Sequence, residues 1–274
     1  MQVLNPALTR GALCRYYPRM FGLIKRWRRG RVMAGEFPSS WQSHLQQNCG
    51  FYARLPVADR DELKRKMLVF LDEKHFEGCQ GVVIDDEIRV TIAAHACLLL
   101  LHRTTDFYRH LITILVYPST FIVKVKEVDE HGFEWDEHME NAGESWDRGN
   151  VIVAWDVAKH GALDPRDGLN VLLHEFAHQL DAEDGRTEGA PVMDTSADRQ
   201  EWARVMQAEY ERLLDDIEHE RDPLIDDYGA TNPAEFFAVC VETFFEKAHQ
   251  MQKHHPALYR QLSRYFRQDP AAWV

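Results

Sequence analysis

Three absences narrow the possibilities before any motif is read. The five cysteines in 274 residues (Cys14, Cys49, Cys79, Cys97 and Cys240) are scattered, odd in number and without a C-x-x-C pair. That excludes a disulfide framework and a thiolate zinc site, and fits a reducing cytoplasm. No apolar run approaches the roughly 20 residues of a membrane span. The short run Met20-Phe-Gly-Leu-Ile24 is smaller than a signal-peptide core and precedes most of the nearby charge, so neither a span nor export is expected. Acid is missing from residues 1–35, which hold eight Lys or Arg. The rest of the chain therefore carries 24 basic against 44 acidic side chains, a net of −20. Such a body repels nucleic acid, so stable nucleic-acid binding is not expected, and the basic arm is the one candidate for phosphate or anionic-lipid contact. Residues 1–35 are expected to be a disordered arm and residues 36–274 a single compact domain.

What is present centres on Val171-Leu-Leu-His-Glu-Phe-Ala-His-Gln-Leu-Asp181. His174 and His178, four residues apart, lie about 40° apart round a helix and reach one metal ion. Glu175, about 100° from His174, is close enough to touch a metal-bound water without ligating. Leu172, Leu173, Phe176 and Leu180 fall on the opposite side, so the helix is expected to be buried by that face. Asn170, His174, His178 and Asp181 share the remaining stripe, a costly set of polar groups unless something satisfies them. This is the layout of a metallopeptidase helix.

Before this helix, residues 36–58 read as a linker with one short helix. Asp59 with Glu62 resembles a capping box opening a helix (Leu63, Met67, Phe70, Leu71) that ends near Phe76-Glu77-Gly78. A short strand follows around Gly81–Ile84, then a buried helix from Glu87 to about His102. Ile112–Tyr117, Phe121–Val125, Gly143–Trp146 and Val151–Trp155 read as strands. The acidic stretch Glu127–Glu144, with His131 and His138, reads as an exposed hairpin or loop rather than a second metal site. These strands predict a small antiparallel sheet packed with several helices, an α+β fold, whose edge could accept a peptide backbone.

A catalytic zinc commonly keeps three protein ligands. Asp184 lies ten residues after His174, but a chain turning back at that offset wants Gly where Asp181 stands. After a long amphipathic helix opened by Ser196 or Asp194, Asn232 as N-cap and Pro233 at the first helical position start another. Glu235, Val239, Glu242 and Glu246 share one of its faces, and Phe237, Val241 and Phe244 the buried one. Glu235 and Glu242 are about 10 Å apart along the axis and cannot hold one ion together; Glu235 is the better placed. Its alternative is the closing residue of a capping box on Asn232. Asp181 and Glu242 read equally as partners of a ligand imidazole or as ordinary carboxylates.

His174-Glu-Phe-Ala-His-Gln-Leu-Asp181 together with Tyr228-Gly-Ala-Thr-Asn-Pro-Ala-Glu-Phe-Phe-Ala-Val239 resembles the Mlc titration factor A family of bacterial zinc peptidases, gluzincins similar in catalytic core to the anthrax lethal factor. The resemblance runs from about Met20 to Gln268-Asp-Pro270, and residues 1–19 depart from it. It implies a zincin-like catalytic domain with one zinc ion per chain held by His174, His178 and Glu235, Glu175 as general base, and Tyr228 supporting the transition state. By spacing alone Tyr228 reads equally as a packed aromatic. The resemblance also implies binding of the glucose repressor Mlc and regulation of the sugar phosphotransferase system.

The expected function is therefore zinc-dependent, aminopeptidase-like hydrolysis of short peptides in the cytoplasm. The alternative is a non-proteolytic protein that sequesters a transcriptional repressor.

Overall fold

The computed structural model describes the backbone of residues 10–128, 134–141, 143–146 and 149–273, and the side chains of residues 22–120 and 149–273. The fold is mixed helix and sheet. Its sheet has the order β1 (His75–Gly78), β2 (Thr113–Tyr117), β6 (Asn150–Ala154), β5 (Gly143–Trp146). β1, β2 and β6 run parallel, with Phe76 opposite Ile114 and Ile114 opposite Val151, and only β5 is antiparallel to β6. The expected antiparallel sheet is thus corrected. Parallel neighbours need a crossover, which α4 (Asp86–Leu98) supplies between β1 and β2. Strand β6 shows a matching signature: Val151, Ile152, Val153 and Ala154 are all buried, a continuous apolar run, whereas β2 buries only Ile114 and Val116. Among the described residues β5 has no second strand neighbour, which leaves it at the sheet edge.

Several boundaries differ from the sequence expectation. Helix α3 spans Val57–Glu73, starting after Pro56 with no side-chain cap. Asp59 and Glu62 instead meet the His102 ring at 3.2 and 3.3 Å. The strand expected at Gly81–Ile84 lies earlier, at His75–Gly78, in the stretch assigned to the helix end. Thr195, not Asp194, caps α7 (Ser196–Glu218), its hydroxyl accepting from Asp198 N–H. Strands β3 (Phe121–Val128) and β4 (Glu134–Asn141) pair as an antiparallel hairpin. His131 lies outside the described residues, and so does the side chain of His138, which belongs to β4.

The disordered arm expected over residues 1–35 is helical from Arg10 to Met33 (α1), and its last turns are tied to the body. Arginines and lysine there find carboxylates on α3 and on the loop before β2, contacts between segments far apart in sequence.

Helix α6 (Val171–Asp181) buries Leu172, Leu173, Phe176 and Leu180 almost completely. Each such side chain contributes roughly 1.5–3 kcal/mol. The Phe176 ring packs 5.7 Å from Phe70 and 5.2 Å from Tyr108, fixing α6 against α3 and the loop after α4. Its other side lies against α8 (Pro233–Glu246), which is buried all round: Phe237, Val241 and Phe244 on one face, Val239, Glu242 and Glu246 on the other.

Candidate metal centre

Local sequence sets the start of both helices that carry the site. Asn170 caps α6, its Oδ1 accepting from Leu173 N–H at 3.1 Å, and Asn232 caps α8, accepting from the N–H groups of Ala234 and Glu235 at 2.9 and 3.0 Å. Glu235 therefore stands in the first turn of α8, over the middle of α6. Of the capping-box alternative only the Asn232 half is made; the Glu235 carboxylate points instead to the two imidazoles.

His174 Nε2 lies 2.9 Å from Glu235 Oε2, His178 Nε2 3.2 Å from the same oxygen, and the two Nε2 atoms 3.1 Å from each other. Three lone-pair atoms so close and mutually facing have no hydrogen-bonding scheme that satisfies every contact. Ligands about 2.0–2.1 Å from a tetrahedral zinc stand roughly 3.3 Å apart. The three atoms match the edges of such a tetrahedron, and the group could hold one metal ion.

Charge points the same way. Burial works against a charged His174, but its hydrogen bonds to Glu235 and Glu242 outweigh that and hold its proton up to about pH 10. Burial also opposes ionised Glu235, yet the two imidazoles keep its carboxyl well below the usual range. Three carboxylates, Glu175, Glu235 and Glu242, surround two imidazoles, an anionic excess in a buried place that a divalent cation would balance. Glu175 is 3% exposed, and its Oε2 has no hydrogen-bond partner. Burial first, then Glu235 and Glu242, raise it to about 7 against the pull of the two imidazoles.

Glu242 is the residue behind the ligand. Its Oε1 lies 2.8 Å from His174 Nδ1, so in the neutral imidazole that would ligate a metal the proton stays on Nδ1 and Nε2 presents its lone pair to the triad. The other oxygen accepts from the backbone N–H of Asn170. The Asn170 side-chain amide donates in turn to Glu246 Oε1 at 2.9 Å and to the Gly161 carbonyl at 3.3 Å. Gly168 N–H donates to Glu246 Oε2 at 3.0 Å. Burial, with Asp167 and Glu242 nearby, pushes the Glu246 carboxyl up to about 9 although the Asn170 amide works against it. One face of α8 thus orients an imidazole with Glu242 and anchors the start of α6 with Glu246.

Asp181 does not reach an imidazole. Its two oxygens accept from Gly189 and Ala190 N–H, each at 2.8 Å, and so fasten the loop that follows α6. Gly189 has φ +71°, and a Cβ there would stand 2.2 Å from the Pro233 carbonyl oxygen. Trp202 Nε1–H donates to the Gly189 carbonyl at 3.0 Å. The loop is therefore pressed against the N-terminus of α8, directly before Glu235. Asp184 is not among the residues that converge.

Tyr228 sits in a 3-10 turn, Asp227–Ala230, with its ring 5.9 Å from that of His174. Half of it is exposed, and its hydroxyl has no protein partner among the described residues. Partial burial first, then Glu235 and Glu175, raise its pKa. It is neither a packed core aromatic nor one with a bonded hydroxyl.

Sequence reading missed Asn170 as the link between Glu242 and Glu246, and Gly189 altogether. Asn170 carried a signal as the N-cap on the histidine stripe, whereas nothing local marks Gly189.

Comparison with known proteins agrees with this geometry. A model of the glucose-regulated metallo-peptidase M90 family matches residues 24–267. The chain is 42% identical over 246 residues to an uncharacterized protein of Synechocystis sp., covering 89% of each. It is 32% identical over 210 residues to Mlc titration factor A of Salmonella arizonae, covering 74% of this chain and 80% of that protein. With the same titration factor of Klebsiella pneumoniae it shares 30% over 228 residues, 80% of this chain and 83% of that one. Two histidines one turn apart, a carboxylate brought to them by a second helix, and a match over most of the chain lead to one assignment: the chain belongs to the glucose-regulated metallo-peptidase M90 family.

Proposed function

We propose that the chain is a zinc-dependent peptidase with an aminopeptidase-like preference for short peptides, residues 36–274 forming one zincin-like catalytic domain. The observation that carries this reading is the convergence of His174 Nε2, His178 Nε2 and Glu235 Oε2 within 2.9–3.2 Å, beside the unpartnered carboxyl oxygen of Glu175. His174, His178 and Glu235 would hold one zinc ion. When bound, zinc supplies Lewis acidity, lowering the pKa of a coordinated water and polarising a peptide carbonyl.

The chain's own residues do the rest. Glu175 receives a proton at its free oxygen and returns it to the leaving amine. Tyr228, with its hydroxyl uncommitted, donates a hydrogen bond to the oxygen on which negative charge develops. Glu242 keeps His174 in the ligating tautomer. The edge of β5, which has no second strand neighbour among the described residues, offers backbone groups to an extended peptide.

The cytoplasm is the proposed location: among the described residues the cysteines are free, and no helix is long and apolar enough to cross a membrane. Zinc analysis of wild type, Glu175→Gln and Glu235→Ala, paired with hydrolysis of short amino-acyl and peptide substrates, tests the proposal. Expected are near one zinc per chain and turnover in wild type, zinc without turnover in Glu175→Gln, and loss of both in Glu235→Ala. Full zinc occupancy in Glu235→Ala would remove Glu235 from the ligand set.

A second reading rests on the name Mlc titration factor A borne by relatives at 30–32% identity: binding of the repressor Mlc. A sequestering protein relieves repression equally well as Glu175→Gln, and a proteolytic one does not.

A further inference from the structure

Helix α1 is held to the body by charge. Arg29 donates to both oxygens of Glu73 at 2.7 Å and to Asp106 at 2.8 Å, with its guanidinium 4.7 Å from the centre of the Phe107 ring. Lys25 donates to the same Asp106 carboxylate at 2.8 Å, and Arg28 to Asp72 at 2.9 Å. Val32 and Met33 complete the seat against the core. Lys25 and Arg29 stand one turn apart and define the side of α1 that faces the body.

The opposite side is apolar. Leu23 and Trp27 each precede one of those cations by two residues, about 160° away round the helix. They are 67% and 64% exposed, and Ile24 between them is 55% exposed. An amphipathic helix that packs on its own domain turns its apolar stripe inward; α1 turns it outward. The sequence continues the same helical spacing toward the N-terminus with Leu13, Tyr16 and Met20. Arg26 borders the stripe and Arg31 stands on it one turn after Trp27, both exposed, with no ion pair among the described residues. Arg31 lies 5.0 Å from the Trp27 ring centre.

We propose that α1 is a membrane-surface helix that docks the enzyme on an anionic lipid bilayer. Leu23, Ile24 and Trp27 enter the boundary between headgroups and acyl chains, the level at which tryptophan rings settle. Arg26 and Arg31 meet lipid phosphates. Lys25, Arg28 and Arg29, on the far side, keep the body attached.

Charge selects this occupant. A second copy seated on the stripe would bring the same unpaired arginines against each other. The body, net −20 outside residues 1–35, is repelled by anionic lipid, so attraction is confined to α1 and the body is held away from the bilayer. No helix is long and apolar enough to cross the membrane among the described residues, so attachment is peripheral and weakens with salt.

The test is co-sedimentation of the full chain with phosphatidylcholine–phosphatidylglycerol vesicles, against pure phosphatidylcholine vesicles. Wild type is expected to sediment with the anionic vesicles, to stay in solution with the neutral ones, and to be released by molar salt. A Leu23→Glu, Trp27→Glu double variant should lose about 10-fold or more of that retention. Arg26→Glu, Arg31→Glu, which leaves the apolar stripe in place, should also bind anionic vesicles more weakly. Circular dichroism and thermal midpoints matching wild type show that either variant still folds. Absence of wild-type retention on anionic vesicles overturns the proposal, as does equal retention by the Leu23, Trp27 variant. A wild-type dimer that the same variant abolishes, with no lipid binding, overturns it too and makes a second copy the occupant.

Discussion

Helices α6 and α8 and helix α1 both rely on charged side chains, but at opposite depths. Between α6 and α8, Glu175, Glu242, Glu246 and Asn170 are all buried. There a carboxylate without a partner costs several kcal/mol, so nearly every oxygen is committed to a named N–H or imidazole. The exception is Glu175, whose buried Oε2 has no partner and is the atom proposed to move a proton. Along α1 the Arg29–Glu73 pair is shielded, at 12% and 16% exposure, but the others stand largely in solvent, Lys25 with Asp106 at 44% and 49% and Arg28 with Asp72 at 62% and 36%. Such pairs contribute about 0–1 kcal/mol each. The buried set fixes one geometry, whereas α1 is held by one shielded pair and several exposed ones.

The difference can be broken most forcefully at Gly189. Alanine there puts a Cβ against the Pro233 carbonyl at an unfavourable positive φ, and should cost about 3 kcal/mol from strain and overpacking together, read as a shifted urea midpoint. Zinc occupancy should fall with it, because Glu235 follows Pro233 by two residues. Next in size is Glu242→Ala. It leaves the three proposed ligands in place but frees the His174 ring, and should weaken zinc affinity by about 10–100-fold in competition with a chelator. An unchanged affinity would show that packing alone orients the ring.

A smaller effect comes from Glu246. Its folded pKa of about 9 lies above the ordinary 4.5, so between those values the folded state keeps a proton that the unfolded state has released. Stability from this group is full below pH 4.5 and declines as pH rises toward 9. Thermal midpoints of wild type and Glu246→Gln compared between pH 5 and 9 should converge at the acid end and separate in the variant's favour at the alkaline end. The smallest effect is expected at the other pole of the comparison. Replacing Leu23 and Trp27, which cover nothing, should move stability by less than about 0.5 kcal/mol, whatever it does to lipid binding.

The parts of the site written in short stretches were legible in the sequence. Helical spacing gave His174, Glu175 and His178 one helix, and Asn232-Pro233 marked the start of α8 with Glu235 in its first turn. The sheet was less legible. His75–Gly78 directly follows α3 and looks like its last turn; only pairing with β2 across α4 makes it a strand, and that pairing has no local signature. The same holds for the groups behind the metal triad. Asp181, one turn after His178, read equally as a partner of an imidazole or as an ordinary carboxylate, and the loop returning to α8 decides it by bringing Gly189 and Ala190 N–H to it. The basic arm was read as a tail because its partners, Glu73 and Asp106, lie more than forty residues away.

The separation of the donors along the chain also bears on biosynthesis. His178 and Glu235 are 57 residues apart. At roughly 5–20 residues per second, the ribosome finishes α6 about 3–11 s before it reaches Glu235. A nascent chain in that interval has both imidazoles but neither the third donor nor Glu242 to set the tautomer. The order of synthesis therefore completes the proposed ligand set only once both helices have been made.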